Sequence, residues 1–303
     1  MARFTKVEVF HAIRAQLGEG PCWHEARQSL WWIDILGQKY FEARITDASP
    51  RVLTSAQMIG AVAATDSGGL IAALRDGIYL VDPETGGTTP FARAPGHDEH
   101  QFRFNDAKVD PRGRFWAGTL ALDGRRSQSH LYRVNGDRSA VNMRDGVSVS
   151  NGLAWAPDGR TMYYIDSPTR IVQAFAFDLE NGTISWPRPV ITLREADGWP
   201  DGCCTDVEGC LWVAHWGGAK ITRWNPVSGR LLDTVSLPVA NVTSCAFGGP
   251  RRDQLFVTTA VDPERAAVEP EAGFIFRIDP GITGPELATF AVTPDGHANR
   301  AKR

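Results

Sequence analysis

The sequence lacks the features that mark several protein classes. No apolar run approaches the ~18 uninterrupted residues expected of a membrane-crossing helix. The opening stretch from Met1 to Phe10 has no apolar signal core, so no secretory leader is expected. Charge of one sign is missing too: 32 Lys and Arg against 35 Asp and Glu leave a net charge of −3. With no basic stripe, nucleic acid and anionic membrane surfaces are not expected partners. Cysteine is sparse, at five residues, and an odd, scattered set describes buried thiols in a reducing, cytoplasmic setting, not a disulfide framework. The sequons at Asn181 and Asn241 should then go unused, because glycosylation requires secretion. Helical periodicity is nowhere sustained over about twelve residues, which excludes an α-helical fold. No G-x-S-x-G elbow and no glycine-rich phosphate loop occurs, which argues against a serine hydrolase or a nucleotide enzyme.

What the chain does have is a repeat. Asn105-Asp-Ala-Lys-Val-Asp-Pro-Arg-Gly113, Asn151-Gly-Leu-Ala-Trp-Ala-Pro-Asp-Gly159 and Asp201-Gly-Cys-Cys-Thr-Asp-Val-Glu-Gly209 are its clearest copies. Weaker copies begin at Glu19, Gly60 and Thr243, and each copy leads into an apolar or aromatic strand such as Leu211-Trp-Val-Ala. Six copies spaced 41 to 50 residues apart, built of short strands and turn glycines, predict a six-bladed β-propeller spanning residues 1–303 as one domain. Four antiparallel strands are expected per blade, around a central channel. Ten tryptophans recur mostly at strand positions and read as core. The unpartnered run Val7 to Ile13 is expected to supply the outer strand of the last blade, removing two exposed edges. A further strand candidate is Leu287 to Ala291, and residues 294–303 are expected to form a frayed tail.

A propeller brings equivalent positions of its blades to one axis. Glu19, Asn105, Asn151 and Asp201, far apart in sequence, should therefore converge. A single Asn or Asp at a strand entrance usually caps a turn; four of six equivalent positions favour a shared role. Two carboxylates and two amides on an axis suit a hard cation. Loop ends that return to the same face, at 119–123, 166–169 and 215–218, and Arg103 two residues before Asn105, complete the mouth. Other candidates read as structural. His97 and His100 lack a third ligand for zinc, His215 reads as a packed strand histidine, and Trp216 reads as core before it reads as a sugar platform.

Leu17-Gly-Glu-Gly-Pro, Arg103-Phe-Asn-Asp-Ala-Lys-Val-Asp-Pro, Ser150-Asn-Gly-Leu-Ala-Trp and Pro200-Asp-Gly-Cys together resemble the regucalcin/gluconolactonase family of six-bladed propeller lactonases. The resemblance spans nearly the whole chain. It implies a single divalent ion (Ca²⁺, Zn²⁺, Mn²⁺ or Fe²⁺) held by Glu19, Asn151 and Asp201, with Arg103 and Asn105 contacting substrate. Asp123 stands where the family commonly has glutamate, a shorter reach that tilts the expected substrate towards a pentose-derived lactone. The implied reaction is hydrolysis of a sugar aldonolactone, pentono- or hexono-, to the aldonic acid. In that reaction the ion polarises the carbonyl, Asp201 acts as general base, and Arg103 helps hold the developing oxyanion. Two other readings keep the scaffold: a metal-dependent phosphotriesterase or aryl esterase, and a non-enzymatic metal-binding propeller.

Overall fold

The computed structural model describes residues 6–293. Its strands form six four-stranded antiparallel sheets, and each inner strand packs against the inner strand of the next blade. The inner strand of blade 6 returns to that of blade 1, closing the ring of a six-bladed β-propeller. In chain order the inner strands are Gly18–His24, Ile59–Ala64, Phe102–Val109, Ser150–Trp155, Trp199–Thr205 and Val242–Gly248. Among the described residues the only helical elements are three single-turn 3₁₀ segments. The hairpin glycines Gly113, Gly159 and Gly209 have φ of 77°, 66° and 74°, left-handed values that glycine adopts without steric cost.

The seams between blades hold the core. Trp31, Trp32, Trp116 and Trp212 on second strands are buried, as are Tyr132, Tyr164, Phe115 and Phe256. Exceptions are few; Trp186, 81% exposed, is one. Polar ties cross the same seams where strands approach the axis. Thr243 Oγ1 donates to Gly18 O at 2.6 Å, and Thr205 Oγ1 donates to Trp155 O at 2.9 Å.

The two chain ends do different work. Val7–His11 pairs antiparallel with Ile275–Ile278 and is the outer strand of blade 6. Leu287 to Ala291 joins no blade as a fourth strand, because the N-terminal strand already occupies that edge. The segment instead crosses the hairpin end of the ring. Phe290 bridges Thr65 of blade 2 and packs edge-on to Phe91 and Phe115, and Ala291 N donates to Gly113 O of blade 3. The expected frayed tail, 294–303, lies outside the described residues.

All six inner strands share one irregularity. Each breaks register with its neighbour at the same place in the repeat: Glu19/Cys22, Ile59/Ala61, Phe104/Ala107, Asn151/Leu153, Pro200/Cys203 and Val242/Ser244. A bulge turns the side chain that follows an ordinary strand residue out of the sheet plane. Six of them on one ring direct the shared positions as a set, and this local geometry positions the site.

Candidate functional site

The entrance of each inner strand is clamped before the bulge. Asp34 accepts hydrogen bonds from the amides of Gln16 and Leu17 at 2.8 and 3.0 Å, fixing the approach to Glu19. Asp166, at the equivalent strand end of blade 4, takes the amides of Ser148 and Val149 at 3.1 and 2.9 Å, fixing the approach to Asn151. In blade 5 this role passes to His215, whose Nδ1 lies 2.8 Å from Asp197 O and whose Nε2 lies 2.6 Å from Thr222 Oγ1. Burial lowers the His215 pKa to about 4, so it is neutral and structural. Sequence reading took His215 as a packed strand histidine and set Asp166 at the mouth, but gave neither Asp166 nor Asp34 this clamping role. They were legible as a repeat, since Trp-Trp-Ile-Asp34 and Tyr-Tyr-Ile-Asp166 end the same strand.

Beyond the clamps, one chain of donors runs around half the ring. Arg103 can only donate, and its Nη1 gives to Asn105 Oδ1 at 2.7 Å and to Phe104 O at 3.0 Å. That fixes the Asn105 amide, whose Nδ2 gives to Asn151 Oδ1 and to Ser150 O, both at 2.8 Å. Asn151 Nδ2 in turn gives to Ser167 Oγ at 2.8 Å, and Ser167 Oγ to Pro200 O at 2.6 Å, one residue before Asp201. Because guanidinium has no acceptor, every amide in the chain has one permitted orientation. Asn151 Oδ1 keeps a second lone pair.

Glu19 and Asp201 complete the ring. Glu19 Oε2 accepts its own neighbour's amide, Gly20 N, at 2.9 Å. Asp201 Oδ1 is buried with no hydrogen-bond partner. Burial, then the charge of Asp106, pushes the Glu19 pKa up to about 8; burial, then Glu19 and Asp106, pushes Asp201 well above the usual carboxylate range. Arg103 opposes both shifts, while burial lowers its own pKa to about 10. Gly60, the blank position, leaves room for the backbone of blade 3: a Cβ there would lie 2.6 Å from Phe104 O.

Two further charged residues belong to this centre and had no role in the sequence reading. Asp106 follows Asn105 in the bulge, buried, with Oδ2 unpartnered and a pKa raised by burial. Lys108 reaches across the channel from blade 3 to blade 5, where its Nζ donates to Cys203 O at 2.6 Å. Burial pulls its pKa down and Asp106 pulls it further up, so the ammonium persists. The matching positions on the other inner strands are Cys22, Ala63, Ala154, Cys204 and Ala246, all small. A lone lysine in a row of small residues was the available signal.

Three buried carboxylates therefore face two cations, buried Arg103 and part-buried Lys108, with two carboxylate oxygens orphaned, Asp106 Oδ2 and Asp201 Oδ1. That is an electrostatic vacancy for a cation, since a buried unpaired charge is costly. Among the described residues no group of three His, Cys, Asp or Glu side chains is placed to share an ion. An ion held by Glu19 and Asp201 would need amide oxygen as well, and Asn151 Oδ1 has the free lone pair. Oxygen donors with a single amide among carboxylates fit a hard divalent ion.

Asp123 stands apart from this network. It is exposed at the rim, ion-paired to Arg125 Nε at 3.2 Å and accepting the Arg125 amide at 3.1 Å. In the loop at 96–101, His97 Nε2 lies 2.8 Å from Arg75 O and its ring packs on Phe104, a structural role.

Residues 17–261 match the SMP-30/gluconolactonase/LRE-like region family. The chain is 38% identical over 284 residues to a Bacillus subtilis (strain 168) protein provisionally named sugar lactone lactonase YvrE, covering 92% of this chain and 96% of that one. It is 37% identical to human regucalcin over 281 residues, 90% and 94% of the two chains. Among solved structures, a calcium-binding protein, regucalcin, from Agrobacterium tumefaciens str. C58 superposes with a TM-score of 0.89 at 25% identity, covering 94% and 97%. A luciferin-regenerating enzyme superposes with a TM-score of 0.88 at 28% identity, covering 94% and 99%. On the family match across most of its length and on the shared propeller, the chain belongs to the SMP-30/gluconolactonase/LRE-like family.

Proposed function

We propose that this protein is a divalent-metal-dependent sugar lactonase that opens an aldonolactone to its aldonic acid. The observation that carries the reading is the buried, unpartnered Asp201 Oδ1 beside Glu19, Asn151 and Arg103. The names of the relatives support the substrate class, lactone and sugar lactone, and a metal.

Glu19, Asn151 and Asp201 would hold the ion. Bound there, a divalent cation supplies Lewis-acid polarisation of the ester carbonyl. The remaining work falls to side chains. Asp201, held beside the ion, accepts a proton from the attacking water as the new C–O bond forms. Arg103, desolvated and fixed by Asn105, donates towards the developing oxyanion. Asn105 orients Arg103 and Asn151 together, so substrate contact and ligand geometry are set by one amide. The ring C–O bond then breaks, its oxygen takes up the proton from Asp201, and the new carboxylic acid ionises to solvent, so that the product leaves as carboxylate and alcohol. Asp123 reaches a substrate hydroxyl after releasing Arg125, an exposed pair costing on the order of 0–1 kcal/mol to break. A pentonolactone remains the preferred substrate on its short reach, with a hexonolactone next.

The test is Asp201→Asn, assayed on xylono- and gluconolactone with the ion content measured alongside. Lactone opening should fall by roughly 10²–10⁴ while the melting transition persists. Opening at the wild-type rate with metal still bound would refute the base assignment. Hydrolysis of an aryl phosphotriester in preference to either lactone would refute the substrate class.

A further inference from the structure

Beneath the ion site the channel continues into a cavity of about 590 Å³, lined by Cys22, Lys108, Ala154, Trp155, Cys204 and Phe247 and bordered by residues 285–288 of the crossing segment. On its wall, Cys204 Sγ lies 3.6 Å from Cys245 Sγ. Cys204 belongs to the inner strand of blade 5 and Cys245 to that of blade 6. Cys245 also lies 3.6 Å from Trp212 O and is closed off from solvent, while Cys204 faces the cavity. Of the other thiols, Cys203 turns towards blade 4, where a Cβ on Gly152 would meet its sulfur at 2.9 Å, and Cys22, also on the cavity wall, lies 3.9 Å from Trp23 O.

We infer that Cys204 and Cys245 form an oxidisable dithiol, reached by small hydroperoxides through the lower cavity, whose disulfide staples blades 5 and 6 and loosens the ion site. The attacking sulfur is that of Cys204, the one that lines the cavity. Its thiolate attacks the peroxide O–O bond, forming a sulfenic acid and releasing the alkoxide or hydroxide, which takes a proton. The Cys245 thiol then displaces hydroxide from that sulfur, giving the disulfide and water. Sulfur loses two electrons in all, and both peroxide oxygens are reduced.

The two inner strands already pack together beside the pair. Three residues up the axis from Cys204 sits Asp201, and between them Gly202 is pressed so close that a Cβ there would stand 2.8 Å from Ser244 Cα. A disulfide requires the sulfurs to close from 3.6 Å to about 2.05 Å. With Gly202 and Ser244 already in contact, the two strands cannot simply approach at that level. The adjustment passes along the blade 5 strand to Asp201. Ion sites tolerate displacements of only about 0.2 Å in ligand distance, so the oxidised protein should bind its ion at least about tenfold more weakly. This half of the inference rests on the ion site proposed above; the bridge itself does not.

Full-length protein is treated with hydrogen peroxide, alkylated under denaturing conditions and digested without reductant. A peptide joining Cys204 to Cys245, and three alkylatable thiols where five stood before, is the expected result. Cys245→Ser should retain lactonase activity and lose the cross-link, leaving Cys204 as sulfenic acid trapped by dimedone. Five free thiols after treatment, or a Cys203–Cys204 vicinal bridge, would overturn the pairing. Calorimetric titration of calcium or zinc into oxidised and dithiothreitol-reduced protein tests the coupling; equal affinities would overturn it. Absence of ion binding in the reduced protein would instead count against the metal reading, with the cross-link result standing by itself.

Discussion

In the absence of divalent ions the protein should grow less stable as pH rises from mildly acidic to neutral, the reverse of the usual trend for a carboxylate. The cause is Glu19, pushed from 4.5 to about 8 by burial and by Asp106. A folded-state pKa above the unfolded value means the folded chain holds one proton more across that window. Stability then falls with pH, by about 1.4 kcal/mol per pH unit per proton. Over the span from 4.5 to about 8 the ceiling is about 5 kcal/mol for Glu19 alone. Asp201 and Asp106 are shifted in the same direction and steepen the slope. Above about pH 8 the Glu19 contribution levels off.

Glu19→Gln, the same shape without the titration, isolates this contribution. Urea denaturation in chelator at several pH values from 5 to 8.5 should show the variant gaining on the wild type by several kcal/mol as pH rises. Parallel curves for the two proteins would refute the electrostatic account of the site. A saturating divalent ion should flatten the wild-type curve, because it binds the folded, deprotonated site. Ion binding at pH 7 should release protons from Glu19 and Asp201, measurable by calorimetry in two buffers of different ionisation enthalpy.

Other perturbations test other links. Arg103→Met should lower kcat/KM by roughly 10²–10³, because it removes the proposed oxyanion donor and frees the Asn105 and Asn151 amides to rotate; a loss under tenfold would count against that role. Asp123→Ala should raise KM several-fold with kcat nearly intact, and an unchanged KM would show that the carboxylate never leaves Arg125. Deleting residues 1–14 removes the strand that pairs with Ile275–Ile278 and exposes an edge, so cooperative melting and solubility should be lost; a truncated chain with an unaltered melting curve would refute it.

The fold was legible because a propeller is written in its period. Six copies of one pattern give the blade count, and the residue at the shared place gives the ring of Glu19, Asn105, Asn151 and Asp201. Less legible was whatever breaks the repeat. Leu287 to Ala291 looks like one more strand by local pattern alone, yet its partners, Thr65 and Gly113, belong to blades more than 170 residues away in the chain. No local pattern encodes that choice; it follows from which edge Val7–His11 has already filled. Asp123 shows a second limit, since an exposed side chain follows its nearest cation, here Arg125, and repeat position says nothing about that.

Asp106 and Lys108 show a third. Read along the chain they are an ordinary charged stretch before a turn. Read across the copies they are the odd residues in columns of glycine, alanine, serine and cysteine. The physical reason for the oddity is the site above them. Two carboxylates drawn together in a buried channel need a fixed positive charge nearby, and Lys108 and Arg103 supply it. Asp106 in turn raises the Lys108 pKa. The departures from the repeat therefore mark the same site as the repeat itself. An aligned set of internal copies is informative twice, once for what its columns share and again for the one copy in which a column changes chemistry.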